Sequence, residues 1–159
     1  MKQAQLAKWL KIMTVIVGII GLFIAFLYLP LIGHDYVIDD PSLKFLFWPY
    51  LIWAWVSIAP CFATLCYFWK ICGEIANDHS FCRANVSRLK KISRLFLFDT
   101  CLFFLVSVLF TILEMTNAAV LIVTFFIDVG GISLAMIFAV LSHLVDKAVK
   151  LKETNDLTI

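Results

Sequence analysis

Charge is scarce in this chain. Asp, Glu, Lys and Arg supply 15% of its 159 residues, where a globular protein carries about a quarter. Apolar residues make up 63%, and mean hydropathy is +0.98. A compact domain of this size has too little interior to hide that much apolar surface. The shortage of charge therefore excludes an ordinary soluble domain and points to lipid as the solvent. A dense basic field is missing as well. The formal net charge is +2, which gives no support to direct nucleic-acid binding.

Recognisable chemistry is also lacking. There is no HExxH, GxSxG, Walker or dinucleotide-binding pattern. The glycines of the GISLA stretch lie inside an apolar run, not in a phosphate loop. No nucleophile, base and acid are brought together by spacing. We therefore assign no catalytic residue and no cofactor, and expect a protein that is not an enzyme. The cysteines are odd in number (Cys61, Cys66, Cys72, Cys82, Cys101) and none falls in a segment placed outside the cell, which argues against a disulfide framework. Cys72, His79 and Cys82 are close in sequence, but their spacing fits no common zinc pattern and a fourth ligand is wanting, so no metal is expected.

What the chain does have is four long apolar runs. Crossing a hydrocarbon layer of about 30 Å takes about 20 helical residues. Spans are predicted over roughly 10–32, 45–70, 95–114 and 118–143, followed by a tail over 144–159. Trp9, Trp48 and Trp69 stand at span ends, where interfacial aromatics belong. The first run has no small-residue cleavage site after it and reads as an uncleaved helix. Pro60 falls mid-span and should kink the second helix, with Ser57 or a neighbouring helix satisfying the freed carbonyl of Val56. Residues 114–117 form a short turn, making spans three and four an antiparallel hairpin. The runs lack the two-residue alternation of a barrel strand. The expected fold is all-α, an integral membrane four-helix bundle.

Orientation follows from where the cations lie. Of thirteen Lys and Arg, twelve precede span one, join spans two and three, or follow span four; only Lys44 lies on the other side. By the positive-inside rule both termini are cytoplasmic. The expected location is the bacterial cytoplasmic membrane, crossed four times.

The connection between spans two and three is the most informative polar stretch. Asn77, Asp78 or Ser80 can cap a new helix. Phe81, Asn85, Leu89, Ile92 and Phe96 recur at helical spacing and define one largely apolar face. Arg83, Arg88, Lys90, Lys91 and Arg94 fill much of the rest. The simplest reading is a short basic amphipathic helix that joins span three. Its charges anchor it to anionic lipid, at about 1 kcal/mol each, or dock a cytoplasmic partner. For docking the candidates are Phe81, Asn85, Arg88, Leu89, Lys91 and Ile92.

These residues carry a resemblance. Ser80, then Phe81, Asn85, Leu89 and Ile92 leading into span three, with four spans and short loops, resemble the DUF2975 family of bacterial four-helix membrane proteins of unknown function. The family usually has Gly shortly before the Phe, where this chain has Asn77-Asp78-His79-Ser80. The resemblance implies a gene often paired with one for a small helix-turn-helix regulator, and hence a membrane protein that holds or modulates such a regulator. It implies no catalytic residues.

Two acids lie within spans. Asp99 is five residues from Arg94, about 7 Å in from the inner end, and Asp128 lies near the middle of span four. Their expected offset is roughly two helical turns, which disfavours a carboxylate pair. Each must face protein, water or a proton, because a carboxylate in hydrocarbon costs at least a few kcal/mol. Interhelical hydrogen bonding, helped by Thr100, Ser107, Thr111, Thr124 and Ser133, is the plainer explanation; a proton or cation path is the sharper one. On span four, Gly131, Ala135 and Ala139 recur every four residues, with Asp128 before them and His143 after. They predict a small-residue packing face against a helix of the same chain or of a second copy.

The leading expectation for function is a non-enzymatic regulatory or interaction protein. Its expected partners are membrane lipid, a small cytoplasmic regulatory protein and, as a homo-oligomer, further copies of the chain. A small proton- or ion-coupled transporter or channel subunit using the intramembrane carboxylates is the first alternative. A membrane immunity protein is the second.

Overall fold

The computed structural model describes residues 3–39, 41–77, 79–114, 116 and 118–156. Every regular element among them is helical. Helix α1 (Gln3–Phe23) passes through a π-helical turn, Ile24–Tyr28, into α2 (Leu29–Asp39). A 3-10 segment, Pro41–Leu46, leads to α3 (Phe47–Ala76), followed by α4 (Arg83–Ile112) and α5 (Ala118–Asp156). Four stretches are long and apolar enough to cross a membrane: Gln3–Asp35, Lys44–Ala76, Arg83–Ile112 and Val120–Asn155. The chain is a multi-pass helix bundle.

The helices overrun the predicted spans at the end that carries both termini. The helix expected in the connection does join span three: Arg83 to Arg94 are the first turns of α4 itself. The tail continues α5 through Asp156; residues 157–159 lie outside the described residues. Among the described residues the helix backbones pack in series, α1 on α3, α3 on α4 and α4 on α5.

Two prolines are absorbed differently. Pro30 has no N–H, so the carbonyl five residues back, at the π-helical spacing, loses its donor. That carbonyl belongs to Ala25, and it accepts from Trp55 Nε1 on α3 at 2.9 Å. The π turn is thus placed where a neighbouring helix can satisfy it. At Pro60, α3 continues without interruption. Ser57, expected to answer the freed Val56 carbonyl, has a buried Oγ with no hydrogen-bond partner among the described residues. One turn on, Thr64 Oγ1 donates to the Pro60 carbonyl at 3.0 Å.

The α4–α5 contact shows how lipid reverses the usual pattern. On α4 the buried or half-buried positions include 86, 89, 93, 96, 100 and 107, beside Asn85 and Ile92, while Phe103 and Phe110 pack on Trp53 and Tyr50 of α3; on α5 they include 124, 128, 131, 135, 138, 142, 145 and 149. The α5 row alternates steps of three and four, the heptad spacing of a left-handed helix pair. Several buried or half-buried members are small or polar, Ser93, Thr100 and Ser107 on α4 and Asp128, Ala135 and Ser142 on α5, while large apolar residues such as Leu105, Phe126 and Met136 point outward. Small residues let the backbones approach. Side chains then bond across the seam: Ser93 Oγ donates to the Ala135 carbonyl at 2.8 Å, and Ser142 Oγ to the Val86 carbonyl at 3.3 Å. Phe96 stacks on Phe138 with centroids 5.7 Å apart.

Within the chain, this seam takes up part of the packing face read from sequence. Gly131 and Ala135 belong to it, but Ala139 and His143 are exposed. A strict four-residue step drifts around a helix by about 40° each time, whereas the steps of three and four together stay on one side. The inward row therefore turns from Ala135 to Phe138 and Ser142.

At the terminus-bearing end two lysines lie over aromatic rings, the residue types that gather at a membrane boundary. Lys11 Nζ lies 5.4 Å from the Trp69 ring centroid, and Lys91 Nζ 5.5 Å from that of Tyr67. From Trp69 back to Trp48, and from Lys91 on to Ile112, the helical rise gives roughly 32 Å each, matching a hydrocarbon layer of about 30 Å. Helix α5 has 39 residues, or roughly 58 Å, so its C-terminal turns project past that boundary.

At the opposite end, Glu114 closes α4 with φ 56°. Of the expected turn over 114–117, Met115 and Asn117 lie outside the described residues.

Candidate functional site

The projecting end is organised around a buried amide. Helix α3 stops at Ala76, where the amides of Asn77 and His79 both donate to the Glu74 carbonyl, at 3.2 and 2.9 Å. The next helix is entered from Cys82, whose extended backbone (φ −135°, ψ 152°) makes it the N-cap, and no side chain caps the end. The expected caps Asn77 and Ser80 do not serve; Asp78 lies outside the described residues. Asn85, 2% exposed, does the tying. Its Nδ2 donates back to the Ser80 carbonyl at 3.1 Å, and its Oδ1 accepts from Arg88 Nη1 at 3.0 Å. The same Arg88 nitrogen reaches Glu74 Oε1 at 3.2 Å and the Lys70 carbonyl at 3.3 Å. A buried amide and a half-buried ion pair thus fix the α3–α4 corner. Ser80 Oγ contacts Gln3 Oε1 at 3.3 Å and brings the start of α1 to it.

This geometry redistributes the residues singled out for partner docking. Leu89 and Ile92 (0% exposed) join Ile71 in a buried cluster, against which Tyr67, Ile75, Phe96, Phe138 and Val145 pack. Asn85 and Arg88 build the corner. Phe81 precedes α4 and is exposed, so it does not share a helical face with Asn85 and Leu89. Of the six candidates, Phe81 and Lys91 are exposed. The apolar face is interior because α3 and α5 both cover it, and a wheel drawn for one segment cannot show that.

The surface that the sequence reading missed lies on α5. Leu144 (56% exposed) and Leu151 (68% exposed) stand out beyond the boundary, beside Lys147, Lys150 and Lys152. They occur at the seven-residue spacing that places side chains on one helical side. Lys150 Nζ pairs with Asp146 Oδ2 at 2.8 Å. Arg83 grips Glu153 through two bonds, of 2.9 and 2.7 Å, and ties the start of α4 to the end of α5. The Arg83 hydrogen bonds hold the Glu153 carboxyl below its ordinary range.

The two intramembrane acids lie at one level, which corrects the expected two-turn offset. Ser93 meets Ala135 and Val86 meets Ser142, so the antiparallel register sets residue 100 opposite residue 128. An inner end drawn at Arg94 makes Asp99 too shallow; the Lys91–Tyr67 contact suits an interface nearer the start of α4. Arg94 lies about 4.5 Å further in and is exposed, within reach of the interface for a long side chain. The acids face different contacts. Asp99 Oδ2 accepts from Cys61 Sγ on α3 at 3.7 Å, while Asp128 is buried in the α4–α5 seam. Among the described residues the Oδ1 atom of each is buried without a hydrogen-bond partner. The hydroxyls named as helpers serve their own helices: Thr100, Ser107, Thr111 and Ser133 donate to the carbonyl four residues back, Thr124 to that three back.

No curated protein and no solved structure matches the chain. The profile of one family, described as "Protein of unknown function (DUF2975)", matches residues 31–159. The match takes in the buried-amide corner, the α4–α5 seam and the projecting end of α5, and begins within α2, after all of α1. On that match the chain belongs to the DUF2975 family.

Proposed function

We propose that this chain is a non-enzymatic interaction protein of the bacterial cytoplasmic membrane, with both termini in the cytoplasm, that holds a small helix-turn-helix regulator at its basic end. The observation that carries the reading is the projecting end of α5. Leu144 and Leu151 are exposed there beside Lys147, Lys150 and Lys152, while Asn85, Arg88 and the Ile92 cluster make the base below them rigid. Apolar anchors in a cationic setting suit a partner surface that is apolar at its centre and acidic at its rim. The twelve-to-one distribution of cations supports the cytoplasmic orientation.

The test is crosslinking and affinity capture of the full chain from its native membrane. The expected result is recovery of a helix-turn-helix protein, lost in Leu144→Ser/Leu151→Ser and weakened in Lys147→Glu. Recovery of such a protein undiminished in both variants would remove α5 as the surface; recovery of none from the native chain would remove the reading. A transport reading draws support from the buried, unpartnered oxygens of Asp99 and Asp128. Proton- or ion-dependent flux in liposomes, abolished by Asp128→Asn, would favour it instead.

A further inference from the structure

We propose that the groove between α1 and α3 binds one anionic phospholipid, with its phosphate at Lys8 and Lys11 and an acyl chain along Ile12, Val15 and Ile16. The groove has a volume of about 420 Å³ and is walled on the α3 side by Trp69 and Ala76. It exists because the facing residues are small: Ala4 and Ala7 on α1, Ala76 on α3. The space beside Gly73, between Trp69 and Ala76 along α3, is also open, since a Cβ there would meet nothing within 4 Å.

The polarity of the groove matches that of a phospholipid. Going from the terminus-bearing end toward the hydrocarbon, the α1 wall changes from Lys8 and Lys11 to Ile12, Val15 and Ile16. The change falls at the boundary marked by Lys11 over Trp69. Neither lysine pairs with a carboxylate among the described residues. Glu74, the acid next along α3, is engaged by Arg88. Two unneutralised ammonium groups thus border an apolar slot at headgroup depth. A phosphodiester between them satisfies both charges, while its acyl chain covers the aliphatic wall. A zwitterionic lipid brings its own cation to the same place and gains less. This inference is independent of the partner proposed at α5.

Native mass spectrometry of the full chain, in detergent with equimolar phosphatidylglycerol and phosphatidylcholine, tests it. The native chain is expected to retain phosphatidylglycerol preferentially, with one copy held most firmly. In Lys8→Gln/Lys11→Gln the preference should fall by roughly 30-fold, the value for two lysines near an anionic surface. Lys8→Arg/Lys11→Arg should keep it, and Lys90→Gln/Lys91→Gln, which removes equal charge elsewhere, should leave it unchanged. Equal retention of the two lipids by the native chain overturns the proposal. So does an equal fall in the Lys90/Lys91 variant, which would assign the preference to overall charge. Ala76→Phe fills the slot and leaves both lysines in place. It should displace the firmly held copy, and full retention there would also overturn the groove as the site.

Discussion

Gly130 and Gly131 are adjacent in α5, yet the structure gives them opposite roles. A Cβ at Gly131 would overlap Thr100 Oγ1, whereas a Cβ at Gly130 would meet nothing. Thr100 Oγ1 is held at 2.8 Å from the Phe96 carbonyl, so it cannot turn aside without losing that bond. Gly131→Ala should therefore cost about 1–3 kcal/mol, the usual penalty for overfilling a packed site. Gly130→Ala should be neutral or stabilising by up to about 1 kcal/mol, from helix propensity alone. Thermal unfolding in mild detergent measures both, and Thr100→Ala should relieve much of the Gly131→Ala loss. Equal behaviour of the two alanine variants would disprove close approach at Gly131. At the other end of α4, Glu114 occupies a left-handed conformation that favours glycine. Glu114→Gly should gain about 1 kcal/mol in the same assay; a loss would show that the Glu side chain earns its place there by some other contact.

Between elements, the α4–α5 seam makes a sharper distinction. Ala135 is 5% exposed and lies in the seam, while Ala139 is exposed. Ala135→Leu should lower stability by about 1–3 kcal/mol, and Ala139→Leu should stay within about 0.5 kcal/mol. Similar losses at both would restore the four-residue stripe. The end of the seam should respond to acid. Because Arg83 depresses the Glu153 carboxyl, the bridge contributes above the ordinary glutamate range and is lost as pH falls through the depressed value. Amide protection factors over residues 150–156, taken after correction for the intrinsic pH dependence of exchange, should fall on acidification, and Glu153→Gln should remove that fall. These elements also show what was legible in the sequence. Four spans could be read because each is an apolar run of membrane length. The seam could not, because hydrophobic periodicity marks the lipid-facing side here, and the inward row is partly Ser93, Thr100, Ser107, Asp128 and Ser142. The small residues Gly131 and Ala135 were visible, but only the partner helix could show the row turning to Phe138. Asn85 stood out in the connection, and its burial depends on the Ser80 carbonyl and Arg88 meeting around it.

At the scale of the whole molecule, the two ends differ in kind. One has Trp48, the 3-10 segment and a tight turn at Leu113–Glu114. The other has the Asn85 corner, the Ile92 cluster, the groove with Lys8 and Lys11, and the projecting turns of α5. The partner and lipid readings both place their chemistry at this second end, so its compartment is the central claim. Cysteine accessibility tests it most directly. In a chain with its five cysteines replaced by alanine, a single cysteine is placed at exposed position 90 or at exposed position 44, and intact cells are treated with a membrane-impermeant maleimide. The account expects labelling at 44 in intact cells and at 90 only after permeabilisation; labelling at 90 in intact cells, with 44 protected, would contradict it.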